Sequence, residues 1–143
     1  MKRILTVSAA LLIFAAVVTA DDRPIDTNRL PEAARIFLNE NYPDVQILYS
    51  TKEDDLILPD YNVALANGVH LEFYHDGAFK KIESREGIPV DMVPVQIVEF
   101  AKVRYPDAYF ISYEVSKRHY EVQLSNRMEL KFNKNFNLIE IDD

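Results

Sequence analysis

Alternation of apolar and polar positions is the plainest signal in this chain. Tyr61, Val63 and Leu65 alternate with Asn62, Ala64 and Ala66; Tyr120, Val122 and Leu124 alternate with Glu121, Gln123 and Ser125. A period of two predicts strands buried on one face. Val69, Leu71 and Phe73 extend the inward set in the first case, and Met128, Leu130 and Phe132 in the second. Asn67-Gly68 is a strong hairpin turn, with Asn126-Arg127 its weaker counterpart. Asp76-Gly77 and Asn135-Phe136 stand at the next turns. Val45 to Lys52 and Ala108 to Val115, rich in β-branched and aromatic residues, predict a strand ahead of each hairpin. Phe79 to Glu83 and Leu138 to Asp142 predict a strand after it. Helical spacing occurs twice, in Leu30, Ala33, Ala34, Phe37 and Leu38 and in Val93, Ile97, Phe100 and Ala101. Pro31 and Pro94 fit the first turn of these helices. Tyr42-Pro43 and Tyr105-Pro106 end them, because the residue before proline is pushed out of the α region.

The two halves read as copies. Leu30-Pro31, Phe37 and Tyr42-Pro43-Asp44 match Val93-Pro94, Phe100 and Tyr105-Pro106-Asp107 at an offset of 63. Tyr61, Val63, Leu65, Asn67, Leu71, Phe73 and Ile82 match Tyr120, Val122, Leu124, Asn126, Leu130, Phe132 and Ile141 at an offset of 59. The expected fold is α+β, with two tandem units of one helix and four antiparallel strands. The first unit spans 30–84 and the second 85–143, after an N-terminal extension at 21–29. A unit of about 60 residues buries only a small core. One continuous sheet with both helices on the same face is therefore the expected packing.

Residues 1–20 have the pattern of an export signal: Lys2 and Arg3, an apolar run from Ile4 to Val18, then Val18-Thr19-Ala20. Cleavage after Ala20 and a periplasmic or secreted location are expected, with no membrane-spanning segment afterwards. Loss of Lys2 and Arg3 takes the net charge from −7 to about −9. Nucleic acid is an unfit partner for such a chain. The sequence contains no cysteine, which excludes disulfides, thiolate metal sites and thiol catalysis.

The Tyr-Pro-Asp after each helix and the run Phe73-Tyr74-His75-Asp76-Gly77-Ala78-Phe79-Lys80-Lys81-Ile82-Glu83 resemble the PepSY-like, β-lactamase-inhibitor-like domains of exported bacterial proteins. The resemblance covers the whole chain after the signal, once per copy. It implies a tandem helix-plus-sheet architecture that presents the open face of its sheet to a protein. The chain departs from the pattern by lacking the Trp after the Asp-Gly turn, with Phe79 two residues on. It also lacks the cysteine pairs of the secreted inhibitor, which argues against β-lactamase inhibition itself.

Candidate chemistry is sparse. There is no Gly-rich phosphate loop, and no serine stands in a nucleophile-elbow setting. The spacing of His70, His75 and His119 fits no zinc pattern. No catalytic residue and no cofactor are expected. Glu53, Asp54 and Asp55, with Asp60 nearby, offer hard oxygen ligands to Ca²⁺ but lack the spacing and the glycine of a calcium loop. They carry the alternative function, ion or small-ligand sensing. The preferred function is a non-catalytic binding or inhibitory module acting on a protein partner in the cell envelope. Its expected contact residues are Tyr74, Tyr109, Tyr113, Glu121, Gln123 and Lys131, placed on the open face by alternation. Tyrosine there offers apolar area with a polar tip.

Overall fold

The computed structural model describes residues 22–54 and 57–143. The expected export signal at 1–20, and Asp55 of the acidic loop, lie outside the described residues. The elements in chain order are β1 (Asp22–Ile25), α1 (Glu32–Asn41), β2 (Ile47–Glu53), β3 (Tyr61–Leu65), β4 (His70–Phe73) and β5 (Phe79–Glu83). They continue with α2 (Val95–Arg104), β6 (Phe110–Val115), β7 (His119–Leu124), β8 (Glu129–Asn133) and β9 (Leu138–Asp142). Short 3-10 turns precede each helix, at Thr27–Arg29 and Val90–Met92.

The nine strands among the described residues form one antiparallel sheet whose spatial order is the chain order. The fold is α+β. β1 falls in the extension at 21–29, for which the sequence gives no strand signal. It has four residues, one of them Pro24, and among the described residues it pairs with β2 alone. Proline is tolerated there because an edge strand needs no donor on its outer side.

A single row of side chains crosses every strand on the core side: Ile25, Ser50, Val63, Leu71, Ile82, Tyr113, Val122, Leu130 and Ile141. One core cluster joins the apolar members of this row to Leu38 and Ala34 of α1 and to Ile97 and Ala101 of α2. Phe37 of α1 meets Phe73 edge-on at 5.5 Å, and Phe100 of α2 meets Phe132 edge-on at 5.3 Å. An aromatic file then runs across the sheet from Phe37 to Phe79, Tyr113, Tyr120 and Phe136, with centroids 5.2–6.3 Å apart. It bridges the β5–β6 pairing, where Ile82 stands opposite Tyr113.

β-Bulges break the alternation. One lies between Ile47 and Tyr49 on β2, another between Phe110 and Ser112 on β6. Irregularities between Glu72 and Phe73 and between Lys131 and Phe132 do the same in the β4–β5 and β8–β9 pairs. Each bulge inserts a residue and reverses which side the following residues face.

Gly77 is required twice over. Its φ is +84°, and a Cβ there would stand 2.8 Å from the Pro31 Cβ and 3.0 Å from the Ala34 nitrogen. The start of α1 therefore sits directly against this turn.

Candidate functional site

The side of the sheet opposite the core row is polar, and two rows of side chains define it. The first runs Thr51, Asn62, Glu72, Lys81, Glu114, Glu121, Lys131 and Glu140 from β2 to β9. The second runs Tyr49, Ala64, His70, Glu83, Ser112, Gln123, Glu129 and Asp142. Tyr49 is half exposed, whereas Ala64 is small enough to be covered by its neighbours. Over β1–β5 this open side forms a broad groove of about 1100 Å³, lined by Tyr49, Thr51, Asn62, His70, Glu72, Lys81 and Glu83 among others.

Within the groove Lys81 bonds Glu83 at 3.0 Å. Burial works against the Lys81 charge, but the Glu83 hydrogen bond and the carboxylates of Glu83, Glu72 and Glu114 outweigh it and raise its pKa. Over β6–β9 carboxyls crowd together. Glu114 stands opposite Glu121, and Glu121 diagonal to Glu129. A hydrogen bond with Glu129 comes first among the effects that push Glu121 up to about 7, with burial and the Glu129 charge adding to it. Lys131 lies 3.9 Å from Glu121 and 3.2 Å from Glu140, so its charge is divided between them. His119 approaches Glu121 at 3.8 Å.

The structure separates the residues that alternation grouped. Glu121, Gln123 and Lys131 lie on the open side. Tyr113 does not. It is buried, 6% exposed, stacked between Phe79 and Tyr120 in the core. The Phe110–Ser112 bulge is the cause, since it turns Tyr113 inward opposite Val122. Burial pushes its hydroxyl up to about 12. Tyr109 precedes β6 and is 51% exposed, its ring packed beside Gly87. Tyr74 follows β4, and its hydroxyl donates to the Val115 carbonyl at 2.6 Å, so its polar tip is already used. The matching bulge on β2 turns Ser50 inward and Tyr49 outward. Tyr49 is the open-side tyrosine that simple alternation missed. The sequence signal for this reversal is weak: two core residues, Phe110 and Tyr113, spaced three apart instead of two.

The acidic loop is already supplied with cations. Arg23 pairs with Asp54. The Lys80 ammonium bonds Asp60 at 2.6 Å and lies 3.6 Å from Glu72. Burial opposes the Lys80 charge, yet Asp60, Glu72 and Glu53 raise its pKa. Glu53 is itself raised by burial and by Asp60. Lys80 thus engages the carboxylates of Asp60 and Glu72. Among the described residues no group of three or more His, Asp or Glu side chains is arranged to hold a metal ion. No described helix is long and apolar enough to cross a membrane.

Comparison with known proteins supplies the setting. A family model described as "Putative beta-lactamase-inhibitor-like, PepSY-like" matches residues 59–140. Three solved structures share the fold over nearly their whole length. A protein from Bacteroides vulgatus, described as a putative periplasmic protein of the DUF2874 family, is 36% identical at a TM-score of 0.79, over 87% of this chain and 99% of that one. A second, from Bacteroides thetaiotaomicron, described as a putative calcium-regulated periplasmic protein, is 35% identical at a TM-score of 0.80, over 86% and 98%. A third, from Bacteroides vulgatus and described as a putative periplasmic protein of unknown function, is 28% identical at a TM-score of 0.78, over 85% and 99%. No curated protein matches.

Proposed function

The chain belongs to the PepSY-like, putative beta-lactamase-inhibitor-like family, and from that membership we propose that it is a non-catalytic binding or inhibitory module of the periplasm. It meets a protein partner with the open side of its sheet. The observation that carries the reading is the open side itself, a polar surface across β2–β9 that includes a groove with a half-exposed tyrosine at its rim. The relatives described as periplasmic support the location, and so does the export-signal pattern expected at 1–20.

In this reading the molecule is two copies of one unit, at 30–84 and 85–143, with both helices packed on one face. The bulges between Ile47 and Tyr49 and between Phe110 and Ser112, 63 residues apart, support the duplication. So does the joint core of Ala34, Leu38, Ile97 and Ala101. The contact set is Tyr49, Glu72, Lys81, Glu121, Gln123 and Lys131, with Tyr109 at the margin. The test is capture of a partner from periplasmic extract by the wild type and by Tyr49→Ala/Gln123→Lys. The double variant should lose the partner while keeping its circular dichroism and melting temperature. Undiminished capture would overturn the reading.

The relative described as calcium-regulated favours a second reading, calcium sensing. Because Arg23 and Lys80 already pair with Asp54 and Asp60, millimolar Ca²⁺ should leave the melting temperature unchanged. A rise that is abolished in Asp60→Asn would favour the calcium reading.

A further inference from the structure

The two ends of the sheet differ. At one end β1 is four residues long and contains Pro24, with Arg23 tied to Asp54. Proline discourages any further strand from pairing because it offers no donor, whereas edge charges decide which strands are repelled. At the other end β9 reads Leu138-Ile139-Glu140-Ile141-Asp142, with no proline and no basic residue. Among the described residues nothing pairs with its outer side. Leu138 is 38% and Ile139 56% exposed. Glu140 and Asp142 point to the open side, in line with Glu121 and Glu129 of the neighbouring strands.

We propose that the outer edge of β9 accepts a tenth strand, an extended segment of a partner in which lysine or arginine alternates with β-branched residues. Such a segment meets the unpaired backbone groups of β9 with its own, as in strand addition generally. Its apolar positions continue the core side beside Ile141, and its basic positions face Glu140 and Asp142. Charge selects this occupant over a second copy of the chain. Antiparallel pairing of two β9 strands centred on Glu140 sets Glu140 against Glu140; centred on Ile141, it sets Glu140 against Asp142. Like charges directly opposite are unfavourable in a sheet, and the whole chain is strongly acidic. The backbone edge of β9 lies at the far end of the sheet from Tyr49 in the groove of β1–β5, so a Tyr49 variant separates this proposal, which rests on the same open side, from the reading above.

The probe is a labelled octapeptide alternating Lys and Val, compared with one alternating Glu and Val. The measurements are fluorescence anisotropy and amide hydrogen exchange by NMR. The Lys-Val peptide should bind and protect amides within 138–142. Glu140→Lys/Asp142→Lys, both exposed positions, should weaken it at least about tenfold, as should high salt. The Glu-Val peptide should not bind, and Tyr49→Ala should leave the Lys-Val affinity unchanged. The proposal is overturned by absence of Lys-Val binding, by affinity that survives charge reversal, by protection appearing in the groove instead, or by a dimer already pairing through β9.

Discussion

Arg127 and Phe136 occupy left-handed backbone, at φ of 72° and 62°, as do Gly68 and Gly77 at the β3–β4 and β4–β5 turns. A side chain there costs roughly 1 kcal/mol. The exposed Arg127 gains nothing visible in return, so Arg127→Gly should raise stability by about 0.5 kcal/mol after the entropy of a freer unfolded chain is subtracted. Phe136 lies parallel to Tyr120 at 5.2 Å, and Phe136→Gly should lower stability by about 1–2 kcal/mol despite the relieved backbone. The core row holds a similar contrast. The Ser50 hydroxyl is buried without a hydrogen-bond partner, so Ser50→Ala should stabilise by about 1 kcal/mol. Tyr113, two-fold stacked in the corresponding place, should cost about 3 kcal/mol as Tyr113→Ala. Urea denaturation of the four variants checks all these signs.

At the scale of the elements, the strands β7 and β8 bring Glu121 and Glu129 together. With a pKa near 7 against an ordinary 4.5, Glu121 favours the fold in its protonated form. That contribution is complete below about 4.5 and is lost as the pH rises through about 7. Glu121→Gln removes the loss. It should therefore be more stable than the wild type above neutrality, on the order of 1–2 kcal/mol, with the difference vanishing near pH 4.5. Melting temperatures across that range measure it. The elements themselves were largely legible, because helix stops at Tyr-Pro and hairpins at Asn67-Gly68 and Asp76-Gly77 are local events. β1 was not, since Asp22-Arg23-Pro24-Ile25 has no periodicity and becomes a strand only by pairing with β2. The open side was half legible. Alternation holds along β7 and β8, which gave Glu121, Gln123 and Lys131. It fails on β2 and β6, where a bulge exchanges Ser50 for Tyr49 and sends Tyr113 into the core. A bulge is a property of two paired strands, and no single run of residues announces it.

At the scale of the whole molecule, one sheet and one core cluster predict one unfolding event. Because Tyr113 stands on the β5–β6 pairing, Tyr113→Ala should lower a single transition and not split it in two, as coincident fluorescence and circular dichroism curves would show. The central claim concerns the open side, and carbodiimide labelling of carboxyls reads it directly. With a captured periplasmic partner present, Glu72, Glu83, Glu114 and Glu121 should become protected from labelling, while the exposed helix carboxyls Glu32 and Glu99 stay reactive. Protection of Glu32 and Glu99 with the open-side carboxyls still labelled would contradict the account.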